Sequence, residues 1–274
     1  MRSAIVIIPS RFNSTRFPGK PLARIHGKPL IQYVYEGASM ARTIGRVIVA
    51  TDDERIFNEA RGFGAEVAMT NPYHASGTDR VAEVAEKFPC DIIVNVQGDE
   101  PMIRPEMIDD VVGLLSDERV SIGTLAKKID RIGDIADPNI VKVVWDGNDF
   151  AMYFSRSPIP YHRDEWKHKG NGQRARFTLS LTLPPRGGGQ GWGGDPELQT
   201  FYCYKHIGIY SYRRDVLLRL SGIKPTRLEM TEKLEQLRAL EMGYKIKVRE
   251  TPFDTIGVDT PEDLKRVERL IEHG

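Results

Sequence analysis

Three cations follow the first apolar run of the sequence. Residues 4–8 are apolar, and the next segment, PSRFNSTRFPGKPL, carries Arg11, Arg16 and Lys20 within ten positions. A guanidinium can grip phosphate oxygens with two parallel hydrogen bonds, whereas a lysine ammonium acts as a compact point charge. The segment therefore predicts a phosphate-binding loop. It is not a Walker A loop, because Ser14 stands where that motif needs a glycine, and a solvated basic turn is the alternative.

Two aspartates are candidates for a magnesium site. Asp99 lies in QGDEP directly after the apolar run 91–96, and Asp259 lies in GVDTPED before the last helix. Mg²⁺ prefers oxygen ligands and is commonly held by one or two carboxylates plus substrate phosphates. A Gly-Asp turn is the alternative for Asp99, and an acid favoured by a helix N-terminus is the alternative for Asp259.

The segment HASGTDR, residues 74–80, combines small hydrogen-bonding residues with a cation. Backbone groups of Ser76 and Gly77 are suited to reading the edge of a base, and Arg80 is suited to a carboxylate or phosphate. The alternative is that Ser76 or Thr78 only caps the helix that follows. The sequence leaves these two interpretations balanced.

Composition argues against several other classes of protein. The 39 basic and 38 acidic residues leave a net charge of +1, which is unlike a nucleic-acid binder or a protein attracted to anionic membranes. No run of 18 apolar residues occurs. Cys90 and Cys203 stand far apart, and the histidines show no ligand spacing, which argues against a zinc site or a disulfide framework. We expect a cytoplasmic protein with no membrane insertion.

Apolar runs alternate with amphipathic segments of helical length. We predict strands at 4–8, 46–50, 65–69, 91–96, 120–125 and 141–145, and helices at 29–40, 53–62, 78–88 and 105–116. This alternation predicts an α/β fold whose mostly parallel sheet has helices on both faces. Ligands of such sheets bind beyond the carboxyl ends of the strands, where the candidate residues above are expected.

Two helices and one irregular segment complete the prediction. Residues 229–242 read as a single amphipathic helix, and Thr260 is the expected N-cap of a final helix that begins at Pro261. Residues 167–200 are rich in Gly and Pro, so disorder or a flexible hairpin is favoured over a site. We predict one domain over 1–274, with an inserted lobe at 150–212.

Nine segments together resemble the 3-deoxy-manno-octulosonate cytidylyltransferases, also called CMP-Kdo synthetases. They are IPSRFNSTRFPGKPL, VIVATDD, HASGTDR, IVNVQGDEP, NIVKVV, YFSRSPIP, KHIGIYSYRR, EKLEQLRALEMGYKI and GVDTPEDL. They cover residues 4–268 apart from the irregular segment. The resemblance implies a Rossmann-like nucleotide-diphospho-sugar-transferase fold with a smaller dimerisation lobe. It also implies CTP and 3-deoxy-D-manno-octulosonate (Kdo) as substrates for CMP-Kdo and lipopolysaccharide synthesis, Mg²⁺ as cofactor, and a homodimer.

The resemblance also implies roles for individual residues. The predicted phosphate ligands are Arg11, Arg16 and Lys20, with Ser76, Gly77, Arg80 and Gln97 beside the nucleotide. Lys20, Arg16 and Asp99 are the predicted catalytic residues, and Asp99 and Asp259 the metal ligands. The predicted sugar-acid pocket consists of Gln97, Arg156, His206, Tyr210, Glu235 and Gln236.

The sequence departs from the family pattern at 167–200, where the family has a shorter connection with less glycine. Arg156 and His206 flank this segment, so the departure affects the pocket lid and the dimer contact more than the CTP site. A cytidylyltransferase for 8-amino-Kdo or for a nonulosonate stays open as an alternative. So does a non-catalytic nucleotide-binding protein.

Overall fold

The structure is a computed structural model that describes residues 3–14, 16–163 and 202–272. The strands are β1 Ala4–Ser10, β2 Arg24–Ile25, β3 Lys28–Pro29, β4 Arg46–Thr51, β5 Glu66–Met69, β6 Ile92–Asn95, β7 Ile122–Lys128, β8 Lys142–Trp145, β9 Ala151–Ser155, β10 Tyr204–Arg213 and β11 Ile246–Glu250. The helices are α1 Leu30–Ser39, α2 Glu54–Gly62, α3 Gly77–Lys87, α4 Pro105–Leu114, α5 Ile132–Ala136, α6 Arg214–Ser221, α7 Arg227–Glu232, α8 Gln236–Glu241 and α9 Pro261–Glu272, and a 3-10 turn spans Lys20–Leu22.

The central sheet has the strand order β11-β7-β10-β6-β1-β4-β5. β1 is parallel to β4 and β6, β4 is parallel to β5, and β7 is parallel to β11. β10 is antiparallel to both β6 and β7, so those two strands run the same way. The carboxyl ends of β1, β5, β6 and β11 therefore lie along one edge of the sheet, as the predicted mixed and mostly parallel fold requires.

Helices cover both faces of the sheet because the strands are apolar on both sides. In β1, Val6 and Ile8 belong to one hydrophobic core, whereas Ile5 and Ile7 belong to the other. The first core also contains buried residues of α1, α2, α4 and α9, and the second contains those of α3, α6 and α8. This two-sided burial is typical of a parallel sheet whose strands read as continuous apolar runs.

The predicted strands and the first four helices form near their expected positions, but one prediction is wrong. Residues 229–242 form two short helices, α7 and α8, and the break lies at Lys233, which adopts the left-handed conformation with φ of 55°. Amphipathic spacing continues through the break, so the pattern alone did not reveal it. The predicted strands also did not include β2, β3, β9, β10 and β11.

Only part of the predicted inserted lobe, residues 150–212, lies within the described residues. The irregular segment 167–200 lies outside them. Next to it, β8 and β9 form an antiparallel extension that joins the sheet through β10, where Lys205 pairs with Lys142. No helix formed by the described part of the chain has the length and apolar character needed to cross a membrane.

Candidate active site

The loop after β1 presents the predicted cations. Gly19 N donates to Phe12 O at 2.8 Å and so closes this loop. Gly19 has a φ of 73°, and an added Cβ would lie 3.0 Å from the Phe12 ring, so a side chain there is strained. The 3-10 turn that follows begins at Lys20 and points its ammonium toward the sheet edge.

Four charged residues from three distant segments form one contact network at this edge. Lys20 Nζ lies 2.5 Å from Asp99 Oδ2 and 3.0 Å from Asp259 Oδ1, and Arg16 NH2 lies 2.7 Å from Asp259 Oδ2. Burial would lower the pKa of Lys20, but the Asp99 and Asp259 carboxylates outweigh that effect and raise it. The charges of the two cations and two anions cancel. The network also brings the predicted catalytic residues and the predicted metal ligands together.

An open cavity of about 370 Å³ lies beside this network. Its lining comprises Pro9, Ser10, Arg11, Asn13, Ser14, Arg16, Lys20, Pro21, Gly77, Gln97, Gly98 and Asp99. The cavity thus lies beyond the carboxyl ends of β1 and β6, which is the usual ligand position in such sheets. Most of the predicted nucleotide-binding residues line it.

Arg11 keeps part of its hydrogen-bonding capacity free for a ligand. Its NH2 atom is buried and has no hydrogen-bond partner among the described residues. Burial and the neighbouring Arg80 guanidinium lower the pKa of Arg11. A buried donor without a partner is costly unless a ligand satisfies it. The cavity wall formed by Arg11 is therefore suited to an anion.

Arg80 does not reach the cavity surface. Its side chain is 0% exposed, and its NH2 lies 3.0 Å from Asp52 Oδ2. Its NH1 also donates to Thr70 Oγ1. The structure places Arg80 behind Arg11, in the packing between α3 and the sheet. The predicted position of Arg80 beside the nucleotide stays a prediction.

Ser76 is both a helix cap and part of a polar cluster. Its hydroxyl accepts from Asp79 N at 3.1 Å, and Asp79 accepts from Ser76 N, which makes a capping box. Ser76 Oγ also donates to Glu235 Oε1 at 3.1 Å, and Thr78 Oγ1 donates to Glu235 Oε2 at 3.0 Å. Burial raises the pKa of Glu235. The break between α7 and α8 lets this carboxylate reach the start of α3.

Four of the six predicted sugar-binding residues lie beside two separate cavities. Tyr210, Glu235 and Gln236 border a small internal cavity of about 20 Å³, which has room for a water molecule but not for a sugar acid. The Tyr210 hydroxyl is buried without a partner among the described residues. Gln97 faces the larger cavity, where its Nε2 donates to Asn95 Oδ1 at 3.0 Å.

His206 is a half-buried histidine between two aromatic rings. Its ring lies 5.1 Å from the rings of Phe154 and Tyr210, and its Nε2 lies 3.0 Å from Thr124 Oγ1. Burial lowers the pKa of His206 to about 3, so the ring carries no charge at neutral pH. It is therefore suited to hydrogen bonding rather than to pairing with the carboxylate of a substrate.

Arg156 is already engaged by backbone carbonyls. Its Nε donates to Glu232 O at 2.8 Å and its NH1 to Pro138 O at 2.8 Å, while Arg156 N donates to the Glu232 carboxylate at 3.0 Å. These contacts hold the end of α7 against β9. The structure thus gives Arg156 a clear packing role, separate from the cavity beside Lys20.

Known proteins resemble the chain along nearly its whole length. The family described as Cytidylyltransferase matches residues 5–246. A 3-deoxy-manno-octulosonate cytidylyltransferase from Geobacter sulfurreducens is 49% identical over 262 residues, which cover 95% of this chain and 96% of that protein. A second protein of that name, from Geotalea uraniireducens, is 50% identical to this chain, and the match covers 96% of this chain and 97% of that protein. The chain belongs to the 3-deoxy-manno-octulosonate cytidylyltransferase family.

Solved structures agree with this membership. A CMP:2-keto-3-deoxy-manno-octonic acid synthetase complexed with CTP has a TM-score of 0.83 and 39% identity, with 99% of each chain covered. A cytidylyltransferase from Leptospira borgpetersenii, at 16% identity and a TM-score of 0.61, shares the fold. The predicted fold and family are confirmed, and the chain is a nucleotidyltransferase.

The carboxylates of this cytidylyltransferase fit a divalent cation. Asp99 and Asp259 both contact the Lys20 ammonium, so their oxygens converge on one point. Within the described ranges, no group of three His, Cys, Asp or Glu side chains is arranged to hold a metal ion. Two carboxylates with further oxygens from water and phosphate suit Mg²⁺, whereas zinc favours a closed nitrogen and sulfur set.

Glu100 is a site residue that the sequence analysis did not single out. It follows Asp99 directly, and its Oε2 atom is buried with no hydrogen-bond partner among the described residues. Burial and the nearby Asp99 carboxylate raise the pKa of Glu100 to about 8. Its position in QGDEP was the available signal, but the sequence did not reveal which way the side chain faces.

Proposed function

We propose that the cavity beside Lys20 and Asp99 is where this enzyme transfers CMP from CTP to the anomeric hydroxyl of Kdo. The products are CMP-Kdo, for lipopolysaccharide synthesis, and pyrophosphate. The observation that carries the proposal is the contact network of Arg16, Lys20, Asp99 and Asp259, whose most distant members are 243 positions apart. Cations that neutralise phosphates and carboxylates that bind a metal are both needed for nucleotidyl transfer.

The phosphates of CTP are bound by the loop after β1. Arg11 offers an unpartnered buried NH2, and Arg16 and Lys20 exchange their carboxylate contacts for phosphate oxygens. Ser76 and Gly77, at the start of α3, lie beside the nucleoside, and Gly77 lines the cavity together with Gln97. Arg80 supports this site from within the core by its pair with Asp52.

Transfer of CMP depends on orientation and on neutralising charge. The Kdo hydroxyl attacks the α-phosphorus in line while pyrophosphate leaves on the opposite side. Lys20 and Arg16 stabilise the charge that grows on the phosphate oxygens. Asp99 and Asp259 would hold Mg²⁺, which would supply charge neutralisation at the phosphates when bound.

The sugar acid lies on the Gln97 side of the cavity. Its hydroxyls are bound by Gln97, Tyr210, Glu235 and Gln236, and His206 lies beside Tyr210. Arg156 acts from outside the cavity, by anchoring the end of α7. The support for this arrangement is that Tyr210 pairs with Asn95 at the end of β6, two residues before Gln97. The cavity of about 20 Å³ around Tyr210 requires a movement of α8 to admit more than water.

The decisive experiment measures pyrophosphate release with each of the four nucleoside triphosphates, crossed with Kdo, 8-amino-Kdo and a nonulosonate such as sialic acid. Release with CTP plus Kdo at least tenfold above every other pair is the expected result. Release favouring another acidic sugar would replace the proposed substrate. Nucleotide binding without any release would indicate a non-catalytic protein.

A cytoplasmic location and a homodimer belong to the same proposal. Cys90 and Cys203 are free thiols in the structure, which suits a reducing compartment. Light scattering after gel filtration tests the dimer, for which a mass of twice 31.0 kDa is expected.

A further inference from the structure

The loop that carries Asp259 is fastened to the sheet along its length. Residues 251–260 connect β11 to α9. Val258 N donates to Asp99 O at 2.9 Å, which ties the loop to the residues that follow β6. Lys127 Nζ of β7 donates to Pro252 O at 2.9 Å. The Lys205 ammonium of β10 contacts the Asp254 carboxylate. The two metal-binding loops are thus joined by a direct backbone hydrogen bond.

Glu100 is the side chain that reaches from the Asp99 loop into the Asp259 loop. The Thr255 side chain lies beside its carboxyl group as a candidate hydrogen-bond donor. A Cβ on Gly257 would lie 3.3 Å from Glu100 Oε1, so the two loops are in close packing contact there. One backbone hydrogen bond alone leaves two loops free to pivot, whereas the added contacts at Thr255 and Gly257 restrict that movement.

We propose that Glu100 is a positioning residue. Its carboxyl group, packed against Gly257 and beside Thr255, sets the separation between the Asp99 and Asp259 carboxylates. It thereby sets the affinity of the site for a divalent cation. The inference rests on the proposed function, because that function assigns the metal to those two aspartates. Glu100 itself is not given a contact with substrate.

The physical reason is the narrow tolerance of metal coordination. Mg²⁺ requires near-ideal octahedral geometry with short oxygen distances, so a small change in carboxylate separation weakens binding. Groups that orient metal ligands without touching the metal typically change affinity or activity by about 10–100-fold when removed. Glu100 is placed to act in this way because it follows one ligand directly and contacts the loop of the other.

Binding of Mn²⁺ to the full chain in the presence of CTP tests the inference, with free Mn²⁺ measured by electron paramagnetic resonance. Glu100→Ala is expected to weaken Mn²⁺ binding by about tenfold or more. Glu106→Ala is the matched control, because Glu106 is exposed in the first turn of α4, and it should bind as the unaltered chain does. Glu100→Gln keeps an acceptor for Thr255 and should restore binding to within about threefold.

Thr255→Val removes the candidate donor to Glu100 from the Asp259 loop, and it tests the inference if Glu100→Ala does not fold. It should also weaken Mn²⁺ binding, and combining it with Glu100→Ala should add little. Unchanged binding in a folded Glu100→Ala or Thr255→Val chain overturns the inference, as does Glu100→Gln binding as weakly as Glu100→Ala. If the unaltered chain binds no Mn²⁺ with CTP and releases no pyrophosphate, the proposed function fails instead.

Discussion

Lys20 Nζ lies 2.5 Å from Asp99 Oδ2, although 79 positions separate the two residues. The same ammonium lies 3.0 Å from Asp259 Oδ1. A positive group thus occupies the space between the two carboxylates that are proposed to hold the metal. Any divalent cation that enters must compete with this ammonium, whereas the phosphates of CTP offer the lysine an alternative partner.

Replacing Lys20 by methionine should therefore have opposite effects on metal binding and on turnover. Without CTP, Lys20→Met should bind Mn²⁺ about tenfold more tightly, because a competing unit charge is removed. Turnover should fall about 100-fold, because phosphate charge is no longer neutralised. Lys224→Met, at an exposed lysine, is the control for both measurements. Unchanged Mn²⁺ affinity would show that Lys20 does not compete with the metal.

Removing the charge of Asp99 should impair catalysis much more than folding. Asp99→Asn is expected to lower kcat about 100-fold or more, the order found for losing one preorganised electrostatic group. Asp130→Asn alters an exposed aspartate and should keep full activity. Near-normal turnover of Asp99→Asn at saturating magnesium would remove Asp99 from the mechanism. Urea unfolding of both variants separates the effect from a loss of stability.

A side chain at position 98 should disturb the packing between the carboxyl ends of β1 and β6. A Cβ on Gly98 would lie 2.5 Å from Ser10 Oγ and 2.8 Å from Pro9 O. Gly98→Ala should therefore destabilise the protein by about 1–3 kcal/mol, the usual cost of overpacking, and lower activity as Asp99 shifts. The control is Gly133→Ala, because nothing lies within 4 Å of a Cβ there. Equal unfolding midpoints for the two variants would contradict the prediction.

The lowered pKa of His206 predicts a defined dependence of stability on pH. Its pKa is about 3 in the folded protein, below the ordinary value of about 6.5. Below pH 6.5 the unfolded chain binds a proton that the folded chain does not, so the free energy of unfolding falls as the pH drops toward 3. The loss is at most about 1.4 kcal/mol per pH unit.

His206→Gln should flatten this part of the pH profile, measured by urea unfolding between pH 7 and 4. The control is His26→Gln, because His26 is exposed and lies beside Glu268 and Glu272 on the surface. A profile unchanged by His206→Gln would mean that another group causes the acid instability. Nuclear magnetic resonance of the His206 ring gives its protonation state directly.

Much of the fold and part of the site could be predicted from local patterns. The apolar run of β1 and the cation spacing after it are both local. So are the capping pairs Ser76 with Asp79 and Thr260 with Asp263. Each of these depends on residues a few positions apart. The break at Lys233 was missed because amphipathic spacing does not record a single left-handed residue.

The sequence by itself determined which chemical groups this protein carries, where several of its helices begin, and which family it resembles. Only the tertiary structure decided which groups meet. Arg80 became a buried partner of Asp52, Glu235 a partner of Ser76, and Glu100 a contact of the Asp259 loop. The physical reason is that these contacts join segments far apart in the chain. They depend on the strand order, which brings the carboxyl ends of β1, β5, β6 and β11 to one edge.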